Sequence, residues 1–256
     1  MKVFYIKRGL YPVLGFIVVF LLMLGYFTLE LGGKAIDTIT NDRKIPIYCT
    51  DNKENNIALT FDCGSGASDI PQIMEILKKA DVKATFFVLG IWAEQNPEAL
   101  KLIYENGHEI ANHSYSHKAP SKLTKEQMEV EIDKCNDAIE KIIGIRPTIY
   151  RAPSADYNNL LIKTATEKGM YTVQWNVDSI DWQKQQSREK IINRITGKTK
   201  SGSILLFHNE TQHTVSVLPE ILDHLKSEGY KFQIISNLIY KQNYLIDDQG
   251  IQKLKN

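Results

Sequence analysis

From about residue 57 to residue 235, short apolar runs alternate with stretches whose apolar positions recur every three or four residues. These are the periods of buried strands and of amphipathic helices. The runs predict strands at 57–62 (IALTFD), 84–89 (ATFFVL), 109–113, 148–151, 171–176, 203–207 and 231–235. Between them the helical period predicts helices at 69–80, 97–105, 123–143, 159–168 and 217–227. The first sets Ile70, Ile73, Met74 and Leu77 on one face. Thr124 stands where the longest helix needs an N-cap, and Gly144, Gly169 and Gly229 stand where helices stop. Strands alternating with helices imply parallel βα units. About seven such units point to an α/β fold closed as an irregular (β/α) barrel, with an open doubly wound sheet as the alternative.

Ahead of this alternation the pattern changes. Gly9–Thr28 is 20 residues without a charge, preceded by Lys2, Lys7 and Arg8 and followed by Glu30. About 20 apolar residues span a bilayer as a helix, and flanking positive charge stays on the cytoplasmic side. The expected organisation is a cytoplasmic tip (1–8), one N-terminal transmembrane signal-anchor (9–29) and a polar stalk (30–54). A catalytic domain (55–240) outside the cell membrane and a loose C-terminal tail (241–256) follow. A cleaved signal peptide is the competing reading, but its apolar core is usually only about 7–15 residues and ends in a small-residue cleavage site.

Composition changes this picture little. The net charge is +1 and the lysines are dispersed, so nothing points to nucleic acid. Three cysteines, Cys49, Cys63 and Cys135, cannot all pair within one chain, which excludes a disulfide scaffold.

The informative residues sit where the strands end, the edge at which α/β folds carry chemistry. Asp62 closes the first strand and is followed by Cys63 and the flexible Gly64-Ser65-Gly66. His113 and His117 are four apart and would converge on one metal if their segment were helical; in isolation such a pair is more often two surface histidines. Cys63 as a thiolate binds zinc, or as a thiol fills a core. Arg151 ends another strand and either forks onto a carboxylate or makes a surface ion pair. Asp178, Asp181 and Trp182 follow the next strand, and Leu206 and His208 the one after it.

Taken in order, TFDCG (60–64), HSYSH (113–117), RAPS (151–154), DSIDW (178–182) and LFH (206–208) resemble the five motifs of the NodB-homology polysaccharide deacetylases, carbohydrate esterase family 4. The resemblance runs over residues 57–235. It implies hydrolysis of N-acetyl groups on an envelope polysaccharide, with peptidoglycan favoured by the outward-facing anchor. It further implies a divalent metal, zinc by preference, on His113 and His117. Asp62 would be the general base tuned by Arg151, and His208 the general acid tuned by Asp181. Trp182, Leu206 and Ser154 would line the substrate pocket, and the Ser154 N–H would meet the oxyanion. Two positions depart from the pattern. The family's second aspartate, a metal ligand, is Cys63, and the aromatic after the third motif's proline is Ser154. Cys63 itself, or Asp69 folding back over the glycine turn, is expected to complete the metal site. TFDC with an N-terminal anchor resembles a sporulation-associated branch. A non-sugar amide hydrolase on the same fold, and a weakly catalytic glycan-binding or scaffold member, are the competing functions.

Overall fold

A computed structural model of the chain describes residues 20–23 and 43–255. Residues 20–23 are helical (α1). Otherwise the anchor expected at 9–29 lies outside the described residues, as do the tip at 1–8 and the first part of the stalk. No helix among the described residues is long and apolar enough to cross a membrane.

Residues 44–255 form a body of their own around a curled sheet of parallel strands. Its strands are β2 (Asn56–Cys63), β3 (Thr85–Val88), β4 (Glu109–Asn112), β5 (Ile149–Tyr150), β6 (Tyr171–Thr172), β7 (Val177–Asp178), β8 (Ile204–His208) and β9 (Lys231–Gln233). They run in the order β6-β5-β4-β3-β2-β8-β7, with β9 beside the start of β2. The sequence predicts one strand over 171–176. The structure shows two short ones on opposite edges of the sheet, joined by residues 173–176. The five steps from Thr172 to Val177 reach roughly 18 Å at most, so the edges lie close and the sheet is a curled half-barrel.

Around it stand α2 (Ile70–Lys79), α3 (Gly90–Gln95), α4 (Pro97–Glu105), α5 (Lys125–Ile143), α6 (Asn159–Glu167), α7 (Arg188–Lys198), α8 (Thr214–Ser227) and α9 (Ile235–Leu238). Helix α5 begins in a capping box between Thr124 and Gln127 and stops at the left-handed Gly144, as its sequence predicts. Strand alternation divides the side chains. Ile57, Leu59, Phe61 and Cys63 face the helix layer with Phe86, Val88 and Phe207. Ala58 faces the barrel interior with Phe87, Ala111, Ile149 and Ile204.

The end of the stalk and the supposedly loose tail are both built into this body. β10 (Tyr244–Ile246) and β11 (Ile251–Leu254) form a hairpin that pairs with β1 (Cys49–Thr50). The strip from Ile47 to Asp51 fills the seam of the barrel. The Ile47 N–H donates to Thr172 and its carbonyl accepts from Gln174, while Thr50 donates to Gly202 and Asp51 to Gln252. The alternation YLI…IQKL is too short to stand out in sequence, and only pairing with a distant strip makes it a strand.

Candidate active site

Asp62, His113, His117, Ser154, Trp175, Asp178, Trp182, Leu206 and His208 line one cavity of about 410 Å³ at the C-terminal ends of the strands. A second hollow of about 270 Å³, walled by residues 209–212, shares Asp62, Trp182 and His208 with it. The two adjoin as one cleft, and Trp182, which lines both, is 58 % exposed.

Asp62 and Arg151 form the centre. Parity on β2 turns Asp62 inward with Thr60. Arg151, just past β5, is fully buried. One guanidinium nitrogen donates to Asp62 Oδ1 at 2.7 Å and to Thr60 Oγ1 at 3.0 Å, and the other to the Gln174 carbonyl at 3.1 Å. Its plane stacks 3.7 Å from the Phe87 ring centroid. Burial alone would push the Asp62 carboxyl upward. The charge of Arg151, with His113 and His208, overcomes it and holds the group below the usual carboxylate range.

On the neighbouring strand β8, level with Asp62, His208 Nδ1 meets Asp181 Oδ1 at 2.8 Å. Asp181 is buried and also accepts from the His208 N–H at 2.8 Å and from Thr214 Oγ1 at 2.5 Å. Burial would lower the imidazole pKa, but the bond to Asp181 and its charge, with Asp62 and Asp178 behind it, raise it above the ordinary value. A carboxylate held ionised thus faces an imidazole that favours protonation.

The histidine pair comes from a loop. Ser114 and His117 have left-handed backbone (φ 75° and 60°), so HSYSH is not the helix that the four-residue spacing allows. Even so, the rings approach to 5.3 Å between centroids. His113 Nδ1 lies 3.0 Å from the Arg151 carbonyl. A carbonyl only accepts, so Nδ1 carries the proton and Nε2 bears a lone pair. That lone pair points toward Asp62 Oδ2, 3.5 Å away. Burial drives the His113 pKa down to about 4, which keeps the ring neutral. Two acceptors facing each other with no hydrogen between them fit a cation on the imidazoles. The fit is to two protein nitrogens: among the described residues no group of three His, Cys, Asp or Glu side chains could hold a metal.

Neither expected third ligand joins the pair. Cys63 is fully buried in the apolar layer behind the sheet, because it follows Asp62 on the same strand and takes the opposite face. Burial, then Asp62 and Asp69, push its thiol well above the ordinary range, so it is not a thiolate. Asp69 does not line the cleft. Its Oδ2 accepts the Glu210 N–H at 2.7 Å, tying the glycine turn to the 209–212 loop.

Sequence reasoning passes over Trp175, Thr60 and Thr214. Trp175 shares strand parity with Val173, a signal available in the alternation. The two threonines act only through tertiary contacts and leave no such trace. Backbone strain gathers here as well: Ser154, Ala155, Ile180 and Glu210, all non-glycine residues with positive φ, sit on the loops around the cleft.

The sequence family described as Polysaccharide deacetylase matches residues 50–173. A peptidoglycan-N-acetylglucosamine deacetylase of Bacillus cereus is 36% identical over 193 residues, 73% of this chain and 90% of that one. The uncharacterized protein YlxY of Bacillus subtilis is also 36% identical, over 76% of this chain, which spans 60% of its length. Among solved structures, a CE4 family pseudoenzyme from Bacillus anthracis is similar at TM-score 0.73 and 34% identity, over 76% of this chain and 68% of that one. A mutant of it with restored enzymatic activity is similar at the same TM-score.

Proposed function

The chain belongs to the polysaccharide deacetylase family, carbohydrate esterase family 4, and on that premise we propose that it hydrolyses N-acetyl groups of cell-wall peptidoglycan. The observation that carries the proposal is the pairing of Asp62–Arg151 and His208–Asp181 at the ends of adjacent strands in one cleft, with their proton affinities driven apart. Two titratable groups separated in this way are the acid and base of a hydrolase. Two adjoining hollows with the exposed Trp182 between them suit a polymer. That favours a glycan over a small non-sugar amide.

Asp62, ionised at neutral pH, takes the proton of the attacking water. Arg151 keeps the carboxylate charged and aimed. The Ser154 backbone N–H would receive the oxyanion, a role supported by the residue's place in the cavity lining. His208, protonated on Nε2 while Nδ1–H is engaged by Asp181, gives its proton to the departing amine. Leu206 and Trp182 enclose the acetyl methyl. His113 and His117 would hold a divalent cation, zinc by the chemistry of imidazole donors, which would polarise the acetyl carbonyl and acidify bound water. The charge-free run Gly9–Thr28 behind basic residues supports a single-pass anchor with the domain on the outer face, within reach of the wall. Cys63 in TFDC supports placement in a sporulation-associated branch.

Cys63 favours a second reading, a weakly catalytic glycan-binding member, because the site keeps two nitrogen donors and no carboxylate ligand of its own. The discriminating experiment is acetate release from peptidoglycan, its muropeptides and chitin oligomers, with zinc, cobalt or manganese added to metal-stripped protein. Release that requires metal and disappears in Asp62→Asn supports the enzyme. Glycan binding without acetate release under any metal would establish the second reading.

A further inference from the structure

Glu131 is a buried carboxylate with no place in the five motifs. It projects from α5, 6 % exposed, beneath the loop that carries both histidines. Its Oε2 accepts from Ser114 Oγ at 2.9 Å and from the Ser116 N–H at 2.8 Å, and its Oε1 accepts from Ser116 Oγ at 2.7 Å. Lys118 Nζ, largely exposed, adds an ion pair at 3.2 Å. One side chain therefore grips the loop on both residues that lie between His113 and Tyr115 and between Tyr115 and His117. The grip has something to hold. Ser114 and His117 are both in left-handed backbone, which is strained for residues with a Cβ and persists only where surroundings enforce it. On the other side of the loop, α3 donates its Gly90 and Ile91 N–H groups to the carbonyls of Ser114 and Tyr115. Asn112, bonded to Asn136 and to the Ile132 carbonyl of α5, accepts the Ser114 N–H at 2.7 Å.

From this geometry we infer that Glu131 is a positioning residue that clamps the strained His113–His117 loop so that the two imidazoles converge on a metal. This rests on the reading of those histidines as the metal-holding pair. With only two protein nitrogens and no third ligand from Cys63 or Asp69, the site depends more than a three-ligand site on how well the two rings are aimed. Glu131 touches neither ring and acts through Ser114 and Ser116. A carboxylate suits the task because all its neighbours are donors. Glutamine, of nearly the same shape, would turn an N–H₂ toward one of them.

The test is titration of the full-length, metal-stripped protein with Zn²⁺ by calorimetry, and with Co²⁺ by its visible absorption. Glu131→Gln should weaken Zn²⁺ binding by about 10–100-fold, the scale of losses for partners that orient metal ligands. It should also alter the Co²⁺ spectrum, which reports ligand geometry and which a merely structural role would leave unchanged in the folded fraction. Ser116→Ala should weaken binding on its own but add less than about threefold in the Glu131→Gln background, because its partner is already lost. Should Glu131→Gln fail to fold, the Ser114→Ala/Ser116→Ala variant removes two of the three bonds and leaves the carboxylate and Lys118 in place; it is expected to show the same weakening. Zn²⁺ affinity and Co²⁺ spectrum identical to the unsubstituted protein in either variant would overturn the clamp. Absence of Zn²⁺ binding in the unsubstituted protein, or undiminished binding in His117→Ala, would overturn the metal reading and the clamp with it.

Discussion

Replacing Arg151 by methionine removes one charge from the interior and keeps an unbranched stem as far as the position of Nε. Asp62 then loses its 2.7 Å partner while remaining buried. Breaking a buried pair from one side costs about 3–5 kcal/mol. The structure allows an independent bound. Asp62 can escape its unpaired charge by taking a proton, and at pH 7 protonating a carboxylate of unfolded pKa near 3.9 costs about 4 kcal/mol. The guanidinium stacked on Phe87 is exchanged for a thioether over the same ring, a loss of about 1 kcal/mol or less. The expected deficit at pH 7 is therefore about 3–5 kcal/mol, or roughly 6–20 °C in melting temperature for a body of this size. It should shrink as the pH falls. In the variant the unpaired, buried carboxyl is pushed above its unfolded value and takes a proton as pH falls toward 4, so its penalty fades; in the parent the group stays charged until pH drops through its depressed folded value. Thermal melts of both proteins between pH 4 and 8 measure this directly. A gap that stays constant across that range, or a melting temperature within about 2 °C of the parent at pH 7, would refute the assignment of Arg151 as the group that keeps Asp62 charged. Arg151→Lys keeps the charge but loses the fork to Thr60 and Gln174, and should fall between the two.

Asp62→Asn and His208→Ala should each lower turnover by about 10² or more in an acetate-release assay, measured below the melting temperature of each variant because each leaves a buried partner, Arg151 or Asp181, without its mate; near-normal turnover in either sinks its role. The pH profile of kcat/KM should be bell-shaped, with an acid limb below the ordinary carboxylate range from Asp62 and an alkaline limb above 6.5 from His208. Asp181→Asn should pull the alkaline limb to lower pH, and an unmoved limb would detach His208 from Asp181. Since the His208 pKa is raised on folding, the stability it contributes is full below the unfolded value and fades as pH rises through the folded one. Cys63→Ser and Asp69→Asn should leave Zn²⁺ affinity within about threefold by calorimetry, because neither side chain reaches the histidines, while Cys63→Ser lowers the melting temperature by placing a hydroxyl in the apolar layer. A tenfold loss of affinity in either would restore that residue as a ligand.

The elements were legible where local and tertiary signals agree. Thr124 with Gln127 and Gly144 mark both ends of α5, and Asp62 sits at the end of an apolar run that could only be a buried strand. The residues of the cleft were found through their positions at strand ends. What escaped has physical reasons. Residues 171–176 read as one strand because the alternation continues through the crossing from one edge of the sheet to the other. Helix α7 buries only Ile191 and Ile195 and carries a glycine, so its period is faint. Four-residue spacing suggests a helix for His113 and His117, but a loop held in left-handed backbone brings the rings together instead. Adjacency in sequence also made Cys63 look like a neighbour of the site, although strand parity turns consecutive side chains to opposite faces.

The strip that fills the barrel seam sets a schedule for making the protein. Ile47 to Asp51 leave the ribosome before the rest of the barrel, yet their partners lie at 172–174, at 202 and at 250–252. At about 5–20 residues per second, the last partner emerges on the order of 10–40 seconds after the strip itself. Until 172–174 and 202 emerge the strip has nothing to pair with, and until 250–252 emerge its other edge stays open, which exposes strand backbone to any neighbour that offers it. The closing stitches come from residues far from the chemistry. A chain released early, short of Gly250, would carry every group of the cleft and still lack the tie at Gln252 that holds Asp51 in the seam. Nonsense and frameshift lesions in the final codons would therefore act by preventing closure, with the catalytic residues intact.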